Sequence, residues 1–143
     1  MKTKLSLTTL LYLAVLSVSI FALNIEAQTA QEIKEKKNEN LIKNCYNALT
    51  HSNAGVVESA IFVSIQFKNK FPDADGEELI EALDEIASES KSAKISYKAQ
   101  LAKMYFNNSE WFKNVEVSSI KDEQKVYENI AETLSSIMFA TDM

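Results

Sequence analysis

The sequence predicts an all-α protein, and three observations point there. Gly occurs twice and Pro once in 143 residues, so helix breakers are few. No stretch alternates apolar and polar residues over the length of a strand. Apolar residues recur instead at spacings of three and four, the period of one helix face.

The chain opens with Met1, Lys2 and Lys4, followed by an apolar run from Leu5 to Leu23 and then by Ala27 and Ala30. A charged start, an apolar middle and a small-residue exit are the pattern of a secretory signal peptide, here residues 1–27. That predicts a periplasmic or secreted protein. The alternative is an uncleaved N-terminal membrane anchor, since the run is about long enough to span a bilayer. Ser6, Thr8, Thr9, Ser17 and Ser19 dilute the run and favour cleavage. A lipoprotein would carry Cys directly after the apolar run, and the only Cys is Cys45.

Residues 28–40 read as a polar lead or frayed helix, and 41–143 as a single helical domain. The first helix runs to about Thr50, with Leu41, Ile42, Cys45, Tyr46 and Leu49 on one face. Asn53 is placed to cap the second helix, about Ala54 to Phe71, by accepting free amides of its first turn. That helix is apolar over much of its girth: Val56, Ala60, Val63, Phe67 and Phe71 form one stripe, Val57, Ile61 and Ile65 another, and Phe62 a third direction. Such a helix is covered on more than one side, which marks it as the central core helix. Pro72 stops it by pushing Phe71 out of the helical region.

The third helix starts from a capping box formed by Asp75 and Glu78. It turns Leu79, Ile80, Leu83, Ile86 and Ala87 inward and Glu77, Glu81, Asp84, Glu85 and Glu89 outward. The fourth, about Ala93 to Asn107, is again broad-faced, with Ile95, Ala99, Ala102 and Phe106 beside Tyr97, Leu101, Met104 and Tyr105. Residues 108–121 form a connector containing Trp111 and Phe112. The last helix, 122–139, has a one-sided stripe of Val126, Tyr127, Ile130, Ala131, Leu134, Ile137 and Met138, as a terminal cap should.

Narrow-faced and broad-faced helices therefore alternate, as in a stack of helical pairs whose inner members have more neighbours. The turns match as well. Asn53, Val56 and Ala60 have the spacing of Ser92, Ile95 and Ala99, at an offset of 39 residues, close to the roughly 40-residue period of helical-pair repeats. This resembles HEAT repeats, whose inter-helix turn carries Asp or Asn, then Val, then a small residue one helical turn later. The resemblance covers about residues 41–107, with pairs at 41–71 and 76–107. It departs from the family in placing Val57 and Ser96 where Arg usually follows the Val. What it implies is a short right-handed α-solenoid serving as a protein-interaction scaffold, without catalytic residues. Alternatives are a tetratricopeptide-like arrangement, suggested by Ala99 to Trp111, and a bundle of four or five helices.

Charge narrows the function classes. All fifteen basic residues are Lys, against 20 Asp and Glu. Removing Lys2, Lys4 and Glu26 with the leader leaves 13 Lys against 19 acids, a net charge of about −6. An acidic chain without Arg suits neither nucleic acid nor an anionic membrane surface. The Lys-only, Asn- and Ile-rich composition with this leader suggests a bacterial origin.

Candidate site residues are few. Setting Gly76 at the sixth position of a calcium loop puts Phe71 and Ala82 at ligand positions, so Asp73 to Glu78 reads as a capping turn. His51 is the only His, which gives no zinc site of usual composition and no His-based triad; it reads as a surface or capping group whose charged form suits the helix end. No catalytic, metal-binding or cofactor-binding residue is assigned, and no cofactor is implied. Trp111 and Phe112 are candidate contacts for a protein partner, with Glu81 and Glu85 on the acidic face of the third helix for a basic one. Cys45 reads as a core residue, or else as an intermolecular thiol. Asn107-Asn108-Ser109 matches a glycosylation sequon. The expected function is an exported, non-enzymatic module binding a protein partner in the cell envelope. The alternatives are a subunit of a self-associating assembly, and an envelope enzyme with a paired-carboxylate site of raised pKa.

Overall fold

The computed structural model describes residues 32–117 and 123–140. The signal-peptide and anchor readings fall on residues outside that set. The chain divides into two units, Met1–Glu39 and Asn40–Met143. In the first, the described residues 32–39 are helical rather than an irregular lead.

The second unit is all-α. Helix α1 covers residues 40–49, α2 Ala54–Lys70, α3 Glu77–Glu89, α4 Ala93–Asn107 and α5 Glu123–Ala140, with a short 3-10 helix at Ser109–Phe112. No strand occurs among the described residues. None of the described helices is long and apolar enough to cross a membrane.

Local chemistry sets the boundaries. Asn53 is extended, and its side chain accepts from the amides of Gly55 at 2.9 Å and Val56 at 3.3 Å, satisfying two of the donors a helix start leaves free. Ser92 does the same for Ile95 at 3.4 Å. The start of α3 differs from the expected capping box. Asp75 Oδ1 accepts from Glu77 at 3.2 Å, and the cap position itself falls on Gly76. Packing explains the glycine: a Cβ there would lie 2.9 Å from Cε1 of Phe106, a side chain buried at the end of α4. Gly76 thus lets α3 begin in contact with α4.

The core is one cluster drawn from every helix of this unit. Val57, Ala60, Ile61, Phe62, Ile65 and Phe67 of α2 are buried, as are Leu79, Ala82 and Leu83 of α3. From α4 come Ile95, Ala99, Leu101, Ala102, Tyr105 and Phe106, and from α5 Val126, Tyr127 and Ile130. The expected stripes are narrower at their edges: Leu41, Tyr46, Val56, Val63 and Tyr97 are exposed. Helix α4 packs against α3, α2, α5 and the 3-10 helix; α2 in turn meets α1 at Cys45 and α5 at Tyr127. The described part of the connector, residues 108–117, is more ordered than a loose linker. Phe112 stacks on Tyr105 at 5.2 Å, and Val115 and Val117 are buried.

Candidate functional site: a charged cleft across three helices

The largest concentration of interacting polar groups joins α2, α4 and α5. Lys98 points from α4 into the seam and bonds Glu58 of α2 and Glu123 of α5, each at 2.6 Å. Lys94, one turn earlier on α4, also reaches Glu58 at 2.6 Å. The Lys98 side chain is 14 % exposed, against 25 % for Glu58 and 30 % for Glu123. Its ammonium lies 5.0 Å from the centroid of the Tyr127 ring, within reach of a cation–π attraction. These groups line an open cleft of about 800 Å³ between α4 and α5.

The local electrostatics follow from these bonds. Hydrogen bonds from Lys94, then Lys98, hold the Glu58 carboxyl below its ordinary range. Burial alone would lower the Lys98 pKa, but the bonds to Glu123 and Glu58 outweigh it and hold the ammonium above its ordinary value. Burial, and then the negative charges of Glu123 and Glu58, push the Tyr127 phenol far above its usual range. Its hydroxyl is enclosed and has no hydrogen-bond partner. Glu58 is thus an ionised partner of two lysines. It is not the raised-pKa member of a carboxylate pair that general acid catalysis at neutral pH would need.

The residues singled out from the sequence lie elsewhere. Trp111 is 46 % exposed on the 3-10 helix, whereas Phe112 is 1 % exposed and packs inward. Phe112 therefore offers no surface for a partner contact; it anchors the connector. Cys45 is buried, its thiol pushed up to about 11 by burial, and its Sγ donates weakly to the carbonyl of Ala60 at 3.8 Å. That removes it from reach of an intermolecular disulfide, which needs an accessible thiolate. Glu81 and Glu85 are exposed on α3. Glu85 lines a cleft of about 350 Å³ between the two inter-helix turns, with His51, Glu89 and Ile95. His51 Nδ1 accepts the Asn53 amide at 3.0 Å. Among the described residues, no group of three or more His, Cys, Asp and Glu stands close enough together to hold a metal ion.

A second, apolar groove of about 510 Å³ lies between α1 and α2. Ala48, Gly55, Ser59 and Ala60 are among its lining residues, and Val56 and Val63 stand over it, 38 % and 46 % exposed.

The Lys98 cluster was not identified from the sequence. One signal was there: Lys98 sits within the broad apolar arc of α4, and Glu123 continues the inward stripe of α5 one turn above Tyr127. A buried-face Lys on one helix and a buried-face Glu on another suggest a pair, although only the packing brings Glu58 in as the third member. No known protein family, curated protein or solved structure matches this chain.

Proposed function

We propose that this chain is an exported, non-enzymatic interaction module made of HEAT-like helical pairs, which holds a protein partner on its helical surface. The apolar α1–α2 groove carries the reading. Val56 and Val63 occur two helical turns apart on α2 and are left partly uncovered, above small residues that let another backbone come close. Exposed apolar side chains lining one concavity are the usual mark of a surface that receives another apolar segment. The caps and small residues of the turns support the pair-wise arrangement, since Asn53 and Ser92 are both extended caps, Ala60 and Ala99 are both buried, and α2 and α4 pack side by side; the β-branched positions differ, Val56 being exposed and Ile95 buried. Export rests on the leader pattern of residues 1–27.

A photo-crosslinking residue placed at position 63 tests the reading in the native host, with position 125 on α5 as the control. A discrete adduct at 63 that disappears with Val56→Glu is expected. Equal labelling at the two positions would sink the docking role of the groove.

A further inference from the structure

Helix α5 runs on past the core it packs against. Its buried residues are Val126, Tyr127 and Ile130, and Ala131 and Leu134 pack partly against the core. Met138 continues that stripe one turn beyond Leu134, yet it is 70 % exposed, and its neighbour Phe139 is 73 % exposed. Residues 133–140 carry no charge. The end of α5 is thus an uncharged apolar tip that the rest of the chain leaves in water.

Contacts nearer the start of α5 show where this tip stands. Lys98 bonds Glu58 of α2 and Glu123 of α5. One turn farther along both helices, the rings of Phe62 and Tyr127 lie 6.2 Å apart. The two helices therefore run in the same direction, with residue 62 of α2 level with residue 127 of α5. At about 1.5 Å per residue, Phe139 stands roughly 15 Å farther along that axis than Val63, the nearest part of the α1–α2 groove. The groove also opens on another face of α2. Glu58 and Phe62 look toward α5, whereas Val56 and Val63 stand a quarter-turn or more away from them. The tip cannot enter the groove of its own chain.

Tip and groove nevertheless suit each other. The groove, about 510 Å³, is lined by small residues such as Ala48, Ser59 and Ala60, and none of the described residues lining it is Asp, Glu or Lys. Each copy of this chain carries a formal net charge of −5. An uncharged knob and an uncharged groove are the surfaces that two such copies can join without setting like charges against each other. We propose that the α1–α2 groove receives the Met138–Phe139 tip of a second copy of this chain. This rests on the reading of the groove as a docking surface and names its occupant. A Phe side chain buries only about 150–250 Å², so one such contact falls far below the roughly 1,200–2,000 Å² of a stable interface. The association is accordingly weak and concentration-dependent. It joins two unlike patches, so each copy in a pair can both give a tip and receive one.

The test is sedimentation of protein purified from its native host over a wide concentration range, for the parent, Val56→Glu and Phe139→Glu. Both positions are exposed, so both variants should keep the fold, which circular dichroism and the thermal midpoint check. The parent is expected to self-associate, and to do so more strongly at high salt, where repulsion between acidic copies is screened. Each variant alone should associate at least tenfold more weakly. An equimolar mixture of the two should recover a contact, because Phe139→Glu keeps its groove and Val56→Glu keeps its tip. A like-to-like interface would not respond to mixing in this way. The crosslinked adduct from position 63 should have twice the chain mass and join to residues 134–140. A parent that is monomeric at every concentration, or a mixture no more associated than either variant, would overturn the proposal. An adduct from 63 to a different protein would overturn it too, while leaving the groove a docking site; the absence of any adduct at 63 would remove both readings.

Discussion

At the turn between α1 and α2, Asn53 caps the helix with two bonds, yet Val56 just beyond it is 38 % exposed. At the turn between α3 and α4, Ser92 makes a single bond of 3.4 Å, yet Ile95 is only 7 % exposed. The stronger cap goes with the weaker seat. A cap depends on a side chain two or three residues from the amides it serves, so it forms wherever that side chain stands. Burial of the β-branched residue depends on what lies across from it. Ile95 belongs to α4, the helix with neighbours on most sides. Val56 lines the open α1–α2 groove. Two turns of like pattern thus have unlike surroundings because Ile95 is packed into the core and Val56 lies beside an uncovered flank.

Truncating both β-branched residues is the sharpest way to break that comparison. Ile95→Ala is expected to cost about 2–5 kcal/mol, the range for large-to-small changes in a packed core. Val56→Ala should cost under about 1 kcal/mol, since much of that side chain already meets solvent. Urea denaturation of both variants measures the difference. Equal losses would mean that the two turns are equivalent in energy despite their difference in exposure.

The same contrast explains what was legible beforehand. Helix α4 has the expected bounds, Ala93 to Asn107, because Ser92 and the long apolar pattern act locally. Leu79 and Leu83 of α3 and the start of α2 were readable for the same reason, whereas the buried Ala82 was not among the expected inward residues. The close approach of Gly76 to α4 was not readable, because the side chain it makes room for, Phe106, is thirty positions away. Trp111 and Phe112 looked alike as connector aromatics; only Tyr105, stacked on Phe112, separates them. The Lys98 cluster needs three helices brought together, and helical periodicity fixes the face of each helix but not its neighbour. The candidate site was therefore the least legible part, because every partner in it is long-range.

The caps supply a smaller effect in the opposite direction. Asn53→Ala should destabilise by about 1–2 kcal/mol and Ser92→Ala by about 0.5–1 kcal/mol, within the usual span for losing an N-cap. Denaturation gives the totals, and hydrogen exchange locates them: faster exchange at Gly55 and Val56 in the first variant, and at Ile95 in the second. A larger loss at Ser92 would show that its bond, although single and long, is the better one because it is more sheltered from water.

The smallest expected effect concerns the tie between the two halves of the comparison, Glu58 of α2 bonded to Lys94 and Lys98 of α4. Its carboxyl is held below the ordinary value of 4.5, chiefly by the Lys94 bond and then by Lys98. A group whose pKa is depressed on folding binds fewer protons in the folded state, so stability rises with pH through that window. The contribution is therefore fully present above about pH 4.5 and is lost as pH falls through the lower, folded value. Glu58 is partly solvated, which limits the term to about 1 kcal/mol or less. Denaturation of the parent chain and Glu58→Gln across the acid range isolates it, because the remaining carboxylates titrate in both. The stability gap should be constant near neutrality and shrink toward acid pH. A gap that stays the same at every pH would mean that the contribution of Glu58 is packing rather than charge, and that the two turns are joined through the core alone.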